Sequence, residues 1–145
     1  MKISTRTRYG IKVMMALALN YGNGLQYLRG IATKENISEK YLSQIIIPLK
    51  AAGLVNSERG AYGGYFLARE PKNITVREIF ETLEGGIRII GNGSKNGEIS
   101  LITQCIDKMV WSNLQQTIEG KLGAITLQDL IDQCQRQKGE IIYNI

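Results

Sequence analysis

The stretch Arg59 to Leu67, reading RGAYGGYFL, constrains this chain more than any other. Three glycines, Gly60, Gly63 and Gly64, lie between two apolar runs, Leu54–Val55 before them and Tyr65–Phe66–Leu67 after. Glycine accepts positive φ and tight reversal, so the segment predicts strand, turn, strand. The turn is longer than a two-residue hairpin and carries a basic tip at Arg59. Two short helical patterns lie just upstream, a few residues apart. Helix, turn, helix and a hairpin with an exposed arginine predict a mainly α fold with a small β wing. That is a winged helix-turn-helix, a module that sets a helix into the DNA major groove.

The first helix is expected to run from a Ser4 or Thr5 cap to about Tyr21. Ile11, Met14, Met15, Ala18 and Leu19 give it a buried face, which Val13 and Leu17 widen. Arg6, Arg8 and Lys12 project from its start. They can hold a phosphate with the helix N-terminus, or simply form a solvated face. A short helix over 28–34 follows, and Glu35-Asn36-Ile37 makes the turn. Ser38 then caps the reading helix, with Leu42, Ile45, Ile46 and Leu49 inward. Its other side shows Glu39, Lys40, Ser43 and Gln44. Gln44 can pair with adenine in bidentate fashion, and Lys40 can reach guanine or a phosphate. Pro48 lacks an N–H and is expected to kink or tighten the last turn. Arg59 at the wing tip suits a narrow minor groove, and Tyr62 can pack on the sugar-phosphate backbone or on the wing. Thr75-Val76-Arg77-Glu78 is a capping box, opening a helix with Val76, Ile79, Phe80 and Leu83 inward.

Charge agrees with this order. Residues 1–75 hold 11 Lys/Arg and 4 Asp/Glu, a net of +7, whereas residues 76–145 hold 7 and 9, a net of −2. A basic first half suits a polyanion, and the mildly acidic second half suits association with itself or a partner. The chain has no histidine, which removes His-based acid–base catalysis, the Ser-His and Cys-His dyads and the common zinc sites. No nucleotide loop or carboxylate constellation points to an enzyme, and no metal or cofactor is expected. No apolar run approaches the ~18 residues that span a bilayer, and the N-terminus lacks a signal-peptide core, so a cytoplasmic protein without membrane contact is expected.

Three units are expected: a DNA-binding domain over 1–84, a Gly/Asn/Ser-rich loop over 85–98, and a helical unit over 99–145. A long helix from about Glu98 to Lys121 carries Ile102, Cys105, Ile106, Met109, Val110, Leu114 and Ile118 at 3–4 spacing. Such a narrow stripe predicts packing against a copy of itself, with Trp111 adding contact area; packing on its own domain is the alternative. Thr126 caps a last helix bearing Leu127, Leu130, Ile131 and Cys134. Cys105 and Cys134 read as small core residues, and Cys105 can alternatively be a redox thiol, because Lys108 lies one turn on.

These residues resemble the Rrf-two family of bacterial winged-helix transcription regulators, the group containing the IscR, NsrR and CymR proteins. The resemblance runs through Ser4-Thr5-Arg6, Arg8-Tyr9-Gly10, Ile37-Ser38, Tyr41-Leu42, Gln44 and Ala52-Gly53-Leu54-Val55. It continues over Arg59-Gly60, Gly63-Gly64-Tyr65 and Leu83-Glu84-Gly85, and more weakly over Trp111, Leu114, Ile125-Thr126-Leu127 and Leu130. It implies a homodimeric regulator on a double-stranded DNA operator. The candidate contacts are Arg6, Arg8, Tyr9, Ser38, Lys40, Tyr41, Ser43, Gln44, Arg59, Tyr62 and Gly63. Cluster-binding members carry three cysteines near the start of the long helix. Here only Cys105 matches, and Lys108 stands where a ligand histidine would be. The cluster-free CymR branch of cysteine-metabolism repressors is more similar, through Lys2-Ile3-Ser4-Thr5, Pro48 and the wing. The tail Tyr143-Asn144-Ile145 resembles those that insert into cysteine synthase, which implies that enzyme as a partner. Folding of the tail on the dimer is the alternative.

Overall fold

The computed structural model describes residues 2–89 and 97–143, the last three as backbone only. Seven α-helices and a two-stranded sheet are present among them: α1 Thr5–Leu19, α2 Leu28–Glu35, α3 Glu39–Ala51, β1 Val55–Glu58, β2 Gly64–Leu67, α4 Val76–Glu84, α5 Leu101–Ile106, α6 Ser112–Ala124 and α7 Leu127–Tyr143. A π-helical turn, Asp107–Trp111, joins α5 to α6, so one continuous helix runs from 101 to 124. None of the described helices is long and apolar enough to cross a membrane.

Helix α1 is the centre of the fold. Ser4 caps it by accepting from the Thr7 N–H at 3.1 Å. Its buried face is Thr7, Gly10, Val13, Met14, Leu17 and Ala18, rotated from the expected one. Leu19 is half exposed, and Ile11 and Met15 are only partly covered. The reason is Gly10: a Cβ there would run into Leu83 of α4 and lie 3.5 Å from Ile45 of α3. The absent side chain lets α4 and α3 close on α1, which fixes the face that turns inward. The helix also ends at Leu19, not Tyr21, because Asn20 leaves helical geometry and Gly22 takes a φ of 84°.

Pro48 sits inside α3 without breaking it. The helix continues to Ala51 and closes through Ala52 N–H to Pro48 C=O and Gly53 N–H to Lys50 C=O. A proline in the final turn forfeits a single backbone bond, to the Gln44 C=O. Strands β1 and β2 pair antiparallel, with Val55 opposite Leu67 and Glu58 opposite Gly64. A third segment joins them: Gln26 and Tyr65 exchange both backbone hydrogen bonds at 2.9 Å, binding the wing to the loop before α2. Gly64 permits this approach, since a Cβ there would stand 3.0 Å from the Gln26 C=O.

Helix α4 opens on the expected capping box, Thr75 accepting from Glu78 N–H at 3.2 Å and Glu78 from Thr75 N–H at 3.1 Å. Phe80, however, is only partly buried, whereas Val76, Ile79 and Leu83 are buried. Thr126 and Asp129 make the same reciprocal pair at the start of α7. The two caps lie side by side, joined by Val76 N–H to Ile125 C=O and Leu127 N–H to Ile74 C=O, each 2.9 Å. Leu127 and Ile131 thereby enter the core that α1, α3 and α4 share. The base of α6 is tied to α4 by Arg77, which donates to Glu81 at 2.7 Å and lies 3.5 Å from Glu119. The long helix starts at Leu101, not Glu98, because Ser100 caps it by accepting from Thr103 N–H. Of the expected loop, residues 90–96 lie outside the described ones.

Candidate nucleic-acid interface

Helix α3 presents a stripe to solvent because its other stripe, Leu42, Ile45, Ile46 and Leu49, is consumed by the core. Lys40, Ser43 and Gln44 are all exposed. The hydroxyls in this region are partly committed. Ser38 accepts from Tyr41 N–H at 3.3 Å, leaving its own proton to donate, and Ser43 donates to Glu39 C=O at 3.0 Å, leaving lone pairs to accept. Ile47 completes the stripe one turn beyond Gln44 and is 65% exposed. Sequence reasoning did not single it out. Its offset from the buried stripe was the available signal, and an apolar side chain at that position suits a thymine methyl.

Tyr41 is half buried against Tyr9, ring centroids 5.8 Å apart and planes at 82°, an edge-to-face contact. Lys12 lies 5.9 Å over the Tyr9 ring. This pair fixes the start of α1 beside the start of α3, and Arg6, one turn before Tyr9, is exposed on that side. Arg8 points elsewhere. It bonds Thr5 Oγ1 at 3.1 Å and lines a cleft with Phe80 and Glu84 on the α4 side. The structure therefore separates the two arginines that sequence reasoning grouped.

The wing stands across a groove of about 1050 Å³ from α2 and α3. Arg59 and Gly63 line one side, Arg29 and Ser43 the other. Tyr62, at the tip, is 89% exposed. Gly63 serves the turn: its N–H donates to Gly60 C=O at 3.0 Å, and any side chain would collide with the Glu58 carbonyl. Lys50 ties α3 to the wing through Ser57 at 2.6 Å. Arg29, 3.9 Å from Glu39, was missed because nothing in its local sequence marks it. Only the fold brings it to this groove.

Glu84 accepts from Ser4 N–H at 2.7 Å, and its carboxyl is held below the ordinary 4.5, chiefly by the Ser4 hydroxyl and further by that N–H and the Thr7 hydroxyl, despite partial desolvation. The last turn of α4 thus grips the cap of α1. Cys105, expected as a core residue, is exposed, because the first half of the long helix stands off its own domain. Cys134 is half buried on α7, between α1 and α2. Two cysteines on separate helices in a chain without histidine do not supply the ligand set of an iron–sulfur cluster. Tyr143 ends α7. Its side chain, Asn144 and Ile145 lie outside the described residues.

Comparison with known proteins agrees with this fold. Residues 3–133 match the Rrf2 family, described as "Iron-dependent Transcriptional regulator". The HTH-type transcriptional regulator CymR of Bacillus subtilis (strain 168) is 41% identical over 130 residues, 90% of this chain and 89% of that protein. The solved structure of CymR, the global cysteine regulator of B. subtilis, superposes with a TM-score of 0.77 at 40% identity, covering 90% of this chain and 95% of that one. T. potens IscR gives a TM-score of 0.75 at 40% identity, covering 92% and 88%. With its wing, reading helix and exposed basic residues in place, the chain belongs to the Rrf2 family of DNA-binding transcription regulators.

Proposed function

We propose that this regulator is a homodimeric repressor that reads a pseudo-palindromic operator through α3 and the wing. The observation that carries the reading is the groove shared by Ser43, Arg29 and Arg59, flanked by the exposed Lys40, Gln44 and Ile47. Gln44 supplies base readout, Arg59 and Tyr62 hold the adjacent minor groove or backbone, and Arg6 and Lys40 take phosphates. Dimerisation uses the long helix, where Leu101, Ile102 and Met109 are 75%, 73% and 69% exposed. Two copies would space their reading helices by about one DNA turn, ~34 Å. Fluorescence anisotropy on an AT-rich duplex between 50 and 200 mM salt tests this. Each phosphate contact adds about 0.9 to the slope of log K against log salt, and a flat response would leave a protein-interaction adaptor as the better reading.

Likeness to the global cysteine regulator supports control of cysteine and sulfur metabolism. The segment Tyr143-Asn144-Ile145 supports cysteine synthase as the partner through its resemblance to the segments that insert into that enzyme, a peptide-capture mode. Titrating the chain, with and without Ile145, into cysteine synthase while following its pyridoxal phosphate spectrum tests this. A saturable change that needs Ile145 is the expected result. The exposure of Cys105 favours a second reading, regulation by thiol oxidation. Under it, Cys105→Ser would abolish an oxidant's effect on duplex binding.

A further inference from the structure

We infer that the cavity enclosed by α1, α2 and α7 is an effector site for a small molecule with an apolar body and at least one N–H or O–H donor. The cavity holds about 530 Å³, within the range of ligand pockets. Ile11, Met15, Ile31 and Leu130 make its floor. Gln26, which lines the cavity, carries a polar atom out of balance: its side-chain Oε1 is buried behind the cavity wall and has no hydrogen-bond partner among the described residues. A buried carbonyl oxygen left in that state is costly, and a donor brought in by a ligand relieves it.

Two connections run from this cavity to the DNA-reading elements, and they distinguish it from an ordinary packing gap. Gln26 is the first. Its backbone makes both hydrogen bonds to Tyr65 of β2, and the same residue lines the groove under the wing. Lys12 is the second. It lines the cavity, lies over the Tyr9 ring, and Tyr9 packs on Tyr41 at the start of α3. A ligand that draws on the Gln26 amide or spreads α7 from α1 therefore acts on the wing and on the reading helix together. This inference rests on the DNA-binding reading above for its readout, and on geometry alone for the site.

Cys134 lines the cavity and supplies a handle for the test. In the full chain carrying Cys105→Ser, the Cys134 thiolate attacks cystamine, forming a Cys134–aminoethyl disulfide and releasing cysteamine as its thiol. Dipropyl disulfide gives, by the same exchange, a propyl adduct of matching length without a donor. The aminoethyl adduct is expected to change affinity for an AT-rich duplex by about fivefold or more relative to the propyl adduct, as allosteric couplings commonly do. It is also expected to melt at a higher temperature than the propyl adduct. Both differences should vanish when Gln26→Leu is added. Equal affinities and equal melting for the two adducts would overturn the proposal, and so would a difference that survives Gln26→Leu. If no form binds duplex, the DNA-binding reading fails, and the melting comparison decides the site by itself.

Discussion

Replacing Ile102 by alanine isolates the dimerisation reading, because Ile102 is 73% exposed and contributes nothing to the core of its own chain. Three carbons are lost per copy. At about 0.8 kcal/mol per buried CH2, and crediting the partner with covering the exposed fraction, that is about 1.8 kcal/mol per protomer. A symmetric interface contains the change twice, so the dimer should lose about 3.5 kcal/mol, or a weakening of roughly 300-fold in the dimer dissociation constant. Sedimentation equilibrium across a wide concentration range measures it, with Gln116→Ala on the exposed side of α6 as the control. Far-UV circular dichroism should stay that of the parent, since the monomer core is untouched. A shift smaller than about threefold would mean that Ile102 faces solvent in the assembly, and the stripe would have to be reassigned.

Arg59→Ala should weaken duplex binding by more than about 1 kcal/mol, roughly fivefold or beyond, in anisotropy titrations, and unchanged affinity for the true operator would remove the wing from the interface. Leu127→Ala should cost about 2–5 kcal/mol in urea unfolding, because Leu127 is fully buried by the winged domain. A cost under about 1 kcal/mol would show that α7 folds apart from that domain. Glu84 makes acid stability a test of the α1–α4 contact. Its folded carboxyl titrates below 4.5, so the stability it contributes is present above that value and is lost as pH falls through the folded one. Glu84→Gln should flatten the decline of melting temperature below pH 4.5, and parallel curves for the two proteins would discount the Ser4 bond.

The reading helix, the wing, the capping box at Thr75 and the cap at Thr126 were legible because each rests on local chemistry. Ser38 caps α3, Thr75 pairs with Glu78, and Gly60 takes a φ of 113° at the turn. What escaped was set by contacts distant in sequence. The inward face of α1 depends on Leu83 fitting over Gly10, seventy-three positions away, which periodicity within one helix does not encode. Arg6 and Arg8 looked equivalent in sequence, yet Tyr9 against Tyr41 and the Glu84 cleft send them to different sides. The third strand-like segment at Gln26 carries no strand propensity and exists only because Gly64 leaves room beside it. The π turn in the long helix likewise has no sequence mark that we recognise.

The paired caps of Thr75 and Thr126 have a mechanical consequence. The helix over 101–124 is about 36 Å long at 1.5 Å per residue, and it is rooted at its far C-terminal end, where Ile125 and Leu127 are clamped to Ile74 and Val76. It is a cantilever, and the clamp sets its stiffness. A tilt of about 5° at the root swings the free end by about 3 Å, close to the ~3.4 Å rise of one base step. In a dimer held by that arm, tolerance for operators one base pair too long or too short is set at this joint, far from any residue that meets DNA.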